Sequence, residues 1–238
     1  MKAFEKGFSL TWLGHSAFHL VSPRGKHVLV DPWLEGNPMA PVGDTPISHV
    51  DAILVTHAHS DHAGDVVRLA KRFRCTVVCI HEASLWFGRQ GVEGCVGMNK
   101  GGTVQFQGLR VTMTHAVHSS SFDGDDRSYG GEACGFVVTL ENGATIYFAG
   151  DTGPMMDMQL IGELYRPEVS VLPIGDLYTM GPREAAYALK MLRSRWVVPC
   201  HYGTFPALTG TPEALRAELE RLGVQADVVA PKPGEAVR

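Results

Sequence analysis

The stretch that most constrains this chain is VTHAHSDHAGD at residues 55–65, set directly behind the apolar run AILV. His57, His59, Asp61 and His62 stand at spacings of two, two and one. The apolar run reads as a strand covered on both faces. From Ala63 onward Val66, Val67, Leu69, Ala70 and Phe73 recur at helical spacing. The motif therefore sits where a strand turns into a helix. In extended backbone His57 and His59 project to one side, and the turn swings Asp61 and His62 toward a second point nearby. One metal ion cannot readily use all four groups, whereas two adjacent ions can. Imidazole and carboxylate ligands suit zinc, iron, manganese or nickel.

A centre of this kind needs further ligands, and strand-end loops are where layered α/β folds gather them. Three places fit: VTMTHAVHSSS, with His115 and His118; IYFAGDTG, with Asp151; and VVPCHYGTF, with His201. In each, the ligand follows an apolar run and precedes a small or turn residue. His115 and His118 differ by three, so in a strand they face opposite ways. His118 lies at the strand exit and is the expected ligand, with His115 structural. The other histidines, His15, His19, His27, His49 and His81, read as solvated or hydrogen-bonded side chains. Asp31, at the end of HVLVD, is a candidate to support a ligand from behind, since ligating histidines donate their second N–H to a carboxylate or carbonyl. It reads equally as the start of an Asp-Pro turn.

The rest of the chain sets the frame. Its 238 residues, 45% apolar and 19% charged, can bury a sizeable core. With a net charge of −4 and no Lys/Arg-rich run, the chain shows no electrostatic footprint for nucleic acid or anionic membrane. No apolar stretch is long enough to span a bilayer, and the N-terminal residues do not form a secretory signal. Five cysteines without a CxxC pair suggest a reduced, cytoplasmic setting. Short strand patterns meander first and then alternate with helix patterns, and this happens twice. Pro154 is expected to open one helix, and Thr211, Pro212 and Gly223 to cap, start and close the last. These features predict one α/β domain over residues 1–238, made of two packed sheets flanked by helices.

THAHSDH resembles the HxHxDH motif of the metallo-β-lactamase superfamily, and His118, Asp151 and His201 match its remaining ligand positions in order. TWLGHSAF, DPWL, GNP, MNKGG, HSSS, YGGE, AGDTG, LPIGD, TMGP and HYGTFP extend the likeness to a bacterial subfamily of metal-dependent hydrolases related to ascorbate-6-phosphate lactonases. The resemblance implies an αββα sandwich of two mixed sheets with a dinuclear site at one edge. One metal would be held by His57, His59 and His118. The other would be held by Asp61, His62 and His201, with Asp151 bridging the two. Zinc is the expected ion, with manganese, nickel or iron also fitting. Such a pair lowers the pKa of a bridging water or hydroxide and polarises the bond under attack. Asp61 and Asp151 are then the catalytic carboxylates, Asp61 also orienting the nucleophile.

The expected reaction is hydrolysis of an ester-type bond, such as a phosphodiester or lactone, in a small-molecule substrate. Trp33 offers an apolar wall, and Tyr129, Tyr178, Thr179, Tyr202 and Thr204 offer rings and hydroxyls. Asp123, Asp125 and Asp126 would discourage a highly anionic polymer. The alternative is an iron-dependent redox enzyme of the same fold. Di-iron relatives carry Glu where His59 stands, and flavin-linked ones add a domain; neither feature is present. A metal-binding module without catalysis would be expected to have lost ligands, and this chain has the set. The apolar strip LWF at 85–87 leaves core packing and a homo-oligomer interface both open.

Overall fold

A computed structural model describes residues 4, 6–41, 47–123 and 128–238. The first sheet begins as an antiparallel meander of β1 (Ser9–Trp12), β2 (Phe18–Val21) and β3 (His27–Val30). It continues in parallel through β4 (Ala52–Leu54), β5 (Thr76–Ile80) and β6 (Cys95–Met98). The second sheet repeats the plan. An antiparallel run of β7 (Thr103–Phe106), β8 (Leu109–His115), β9 (Cys134–Thr139) and β10 (Thr145–Phe148) passes into parallel β11 (Val169–Pro173), β12 (Trp196–Cys200) and β13 (Asp227–Val228). The C-terminal strand β14 (Ala236–Val237) returns to pair with β1, so among the described residues each sheet has seven strands.

Parallel neighbours require crossovers, and helices supply those that follow β4, β5, β10, β11 and β12. In the first half these are α1 (Ser60–Ala63), α2 (Val66–Phe73) and α3 (His81–Arg89). In the second they are α4 (Asp157–Tyr165), α5 (Pro182–Leu192) and α6 (Pro212–Leu222). The last helix is capped as its sequence predicts: Thr211 Oγ1 accepts from the Ala214 amide at 3.1 Å, and Gly223 closes it at φ 64°.

Strand alternation divides the core. Ile146 and Phe148 of β10 face the cluster between the sheets, where Phe148 lies 6.1 Å from Phe18 of the first sheet. Tyr147, between them in sequence, faces a second cluster with Leu172, Val197, Leu189 and Leu215, under α5 and α6. Two sheets packed on each other and covered by helices are the expected αββα sandwich.

The structure corrects some local expectations. Pro154 does not open α4, which begins at Asp157. The residues before it stay with the strand-end loops, where the Gly153 amide donates to the Val117 carbonyl at 3.2 Å. β6, β13 and β14 had no clear pattern: β6 is a half-exposed edge strand containing glycine, and the other two are two residues long. The LWF strip splits. Phe87 is buried, Trp86 stacks on Phe122 at 3.8 Å, and only Leu85 is exposed. Asp125 and Asp126 lie outside the described residues. No described helix is long and apolar enough to cross a membrane.

Candidate metal centre

β1, β3, β4, β8, β10 and β12 all end toward one edge of the sandwich, and the loops behind them carry the site. His57 and His59 follow β4, with Asp61 and His62 in α1. His118 follows β8, Asp151 follows β10 and His201 follows β12. The seven residues singled out in the sequence therefore meet, although they come from both sheets. His57, His59 and His118 form one group whose ligand atoms lie within 4.8 Å of one another. Asp61, His62 and His201 fall in a second such group, and His57, His62 and Asp151 in a third that joins the two.

Asp151 sits at the junction. Its Oδ2 lies 3.0 Å from His201 Nε2, 3.2 Å from His62 Nε2 and 3.8 Å from His118 Nε2. On the other side His57 Nε2 and His59 Nδ1 are 3.0 Å apart. Close approach at Gly150 makes this packing possible. Its φ is 65°, and a Cβ there would stand 2.7 Å from the Cys134 carbonyl oxygen and 2.8 Å from Thr56 Cβ.

Asp31 lies behind two of the histidines, fully buried. Its Oδ2 accepts from His62 Nδ1 at 2.8 Å and from the Thr56 hydroxyl at 2.7 Å, and its Oδ1 accepts from the Thr56 amide at 2.8 Å. The Thr56 hydroxyl spends its only proton on Asp31, so at 3.1 Å it accepts from His57 Nδ1. Both imidazoles thus carry their N–H on the far side and turn Nε2 into the site. The turn reading of Asp31 also holds, since its own φ is 47°.

The donors fit a divalent ion. Among the described residues, His62 Nε2 and Asp151 Oδ1 are buried and make no hydrogen bond. Buried polar atoms are rarely left so, and imidazole with carboxylate is a set borderline divalent ions favour. Charge states agree. Burial pushes His57 and His118 below the ordinary imidazole value. Burial pushes the Asp151 carboxyl up, but His62 and His201 outweigh it and hold it well below the usual range. His62 differs: burial lowers it, yet Asp151 and Asp31 hold it well above its ordinary value. Its proton competes with a metal for Nε2.

One residue of this centre escaped the sequence reading. His15 is buried and belongs to the same group as Asp61, His62 and His201, with Nε2 3.0 Å from Asp61 Oδ2. A partial signal was available, because His15 also follows an apolar run and precedes a small residue, as Asp151 does. His115 turns elsewhere, with Nδ1 2.8 Å from the Lys100 ammonium that also pairs with Glu132. Trp33 does form a wall: its ring meets His15 edge-on at 5.3 Å and stacks with half-exposed Phe205 at 6.1 Å. Tyr202 is taken by packing, stacked on Trp12 at 5.1 Å. Thr204 bonds to His15, while Tyr129, Tyr178 and Asp123 are exposed.

Known proteins resemble this chain along most of its length. The Beta-lactamase superfamily domain matches residues 26–202. A UPF0173 metal-dependent hydrolase of Koribacter versatilis is 49% identical over 231 residues, covering 97% of each chain. The solved structure of Igni18, a metallo hydrolase from the archaeon Ignicoccus hospitalis, is 36% identical with a TM-score of 0.86, covering 97% of each chain. An isothiocyanate hydrolase from Delia radicum gut bacteria is 25% identical with a TM-score of 0.73, covering 97% of this chain and 98% of its own.

Proposed function

Because the chain belongs to the β-lactamase superfamily and is a metal-dependent hydrolase, we propose that its strand-end cluster holds two divalent ions and cleaves an ester-type bond, such as a phosphodiester or lactone, in a small molecule. Zinc suits the donors best, with manganese, nickel or iron as alternatives. His57, His59 and His118 would hold one ion, and Asp61, His62 and His201 the other. The observation behind this reading is the reach of Asp151, whose Oδ2 is within 3.8 Å of histidines from both groups. A carboxylate so placed can bridge.

Two ions in such a site supply a water of lowered pKa and polarise the bond under attack. The protein's part is orientation. Asp31 and Thr56 keep His57 and His62 in the tautomers that offer Nε2. Asp61 keeps 28% of its side chain exposed, so this carboxylate can meet a substrate and orient the attacking water. Trp33 and Phe205 flank the approach and give an apolar part of the substrate a surface to lie on.

The test begins with metal analysis of protein prepared without chelator, which should return two ions per chain. The loaded protein is then screened together against phosphodiesters, lactones and thioesters. Asp151→Ala should abolish hydrolysis and retain the fold by circular dichroism. An active Asp151→Ala protein, or a wild type that takes up no metal, would refute the reading.

A further inference from the structure

His15 has no role in the ligand scheme above, yet the fold constrains it heavily. It is buried and holds left-handed backbone at φ 53°, which a non-glycine residue keeps only where its surroundings impose it. Its carbonyl accepts from Trp12 Nε1 at 2.9 Å and from the His201 amide at 3.0 Å. Its ring bonds on both nitrogens, Nε2 to Asp61 Oδ2 at 3.0 Å and Nδ1 to Thr204 Oγ1 at 2.9 Å. One residue thereby joins Asp61, which follows the first sheet's β4, to His201 and Thr204, which follow β12 of the second.

The proton positions follow from the partners. An ionised Asp61 can only accept, so Nε2 carries the hydrogen. A neutral ring then leaves Nδ1 bare, and the Thr204 hydroxyl donates to it. Thr204 Oγ1 also lies 3.3 Å from Met39 Sδ, but a thioether is the weaker acceptor. In the opposite tautomer two sets of lone pairs would face each other between His15 and Asp61. Asp61 therefore selects the tautomer that points an N–H at the carboxylate, and the Thr204 hydroxyl supports it by donating to Nδ1.

We propose that His15, its tautomer set by Asp61 and supported by Thr204, is a positioning residue that fixes Asp61 against His201 and so governs occupancy of one of the two metal positions. This rests on the two-ion reading. Asp61 Oδ2 and His201 Nε2 are 4.0 Å apart, and His15 is bonded to both residues, through its ring and its carbonyl. The group of His57, His59 and His118 does not include it. The effect is therefore selective for the ion held by Asp61, His62 and His201.

The experiment is calorimetric titration of metal-stripped protein with zinc, for wild type, His15→Ala, His15→Gln, Thr204→Val and Thr204→Ser. Circular dichroism of each metal-free variant reports folding. Wild type should bind two ions. His15→Ala should keep one at wild-type affinity and bind the other about tenfold to a hundredfold more weakly. His15→Gln, whose amide can donate to Asp61 from nearly the place of Nε2, should recover most of that loss. Thr204→Val should lose severalfold at the same position and Thr204→Ser nothing. If His15→Ala does not fold, the partly exposed Thr204 pair decides. Unchanged second-ion affinity in the folded His15→Ala and Thr204→Val proteins overturns this inference and leaves the two-ion reading intact. So does a glutamine variant no better than alanine, or equal weakening of both ions. A wild type that binds fewer than two ions removes the parent reading and this one with it.

Discussion

Left-handed backbone gathers at the centre: His15, Asp31 and His201 lie at φ 53°, 47° and 53°. Asp31 and His201 directly follow a strand and His15 lies in the turn after β1, each at a conformational cost that surrounding hydrogen bonds offset. Individual histidines differ by what faces them. His115 accepts from a lysine while His118 stands near Asp151, so His115→Ala should keep its metal where His118→Ala loses it. Metal analysis of the two variants checks this, and the reverse result would exchange their roles. His19 is distant in role and predicts a pH effect. Burial, and then the neighbouring His27 at 3.0 Å, lower its pKa from 6.5 to about 4. Between those values the unfolded chain binds a proton that the folded chain refuses, so stability falls as pH drops below about 6.5. By pH 5 the loss is about 2 kcal/mol, at 1.36 kcal/mol per unit. Denaturant melts at pH 7 and pH 5 should show this for wild type and a flatter response for His19→Gln.

At the scale of elements, what was legible had a local cause. α6 announced itself through Thr211, Pro212 and Gly223, since a cap and a left-handed stop act within one turn. The strands around the site showed as apolar runs because both faces of each are covered. β13 and β14 were not legible, because two residues carry no period. The start of α4 was misplaced because Pro154 is permitted at a helix start without compelling one, and Gly153 is bonded to the loop after β8. Two substitutions separate local from tertiary demands. Thr211→Ala should cost about 1 kcal/mol and leave metal content unchanged. Gly150→Ala should cost more than about 1 kcal/mol and also deplete metal, because a methyl there pushes the loop of Asp151 away from Thr56 and Cys134. Parallel chemical denaturation and metal analysis distinguish the two, and a Gly150→Ala protein with full metal content would contradict the packing argument.

Across the whole molecule the two halves repeat one plan, a meander passing into helix-connected parallel strands, and the centre lies where both end. His57, His59, Asp61 and His62 come from the first half, and His118, Asp151 and His201 from the second. Ions bound there tie one sheet to the other and should stabilise the fold against heat. At a hundredfold excess over the dissociation constant the gain is about 2.7 kcal/mol, or about 5–10 °C for a chain of this size. Scanning calorimetry with zinc and with chelator measures it, and coincident transitions would show that the ions do not join the halves. The sequence by itself determined the ligand types, the strand-to-helix setting of VTHAHSDH and the two-layer class, because periodicity and caps are short-range physics. Only the tertiary structure decided that His15 belongs to the centre and that Tyr202 is a packing residue. His15 meets Asp61 across 46 residues of chain and Thr204 across 189, the first contact needing the first sheet assembled and the second needing the other sheet docked on it.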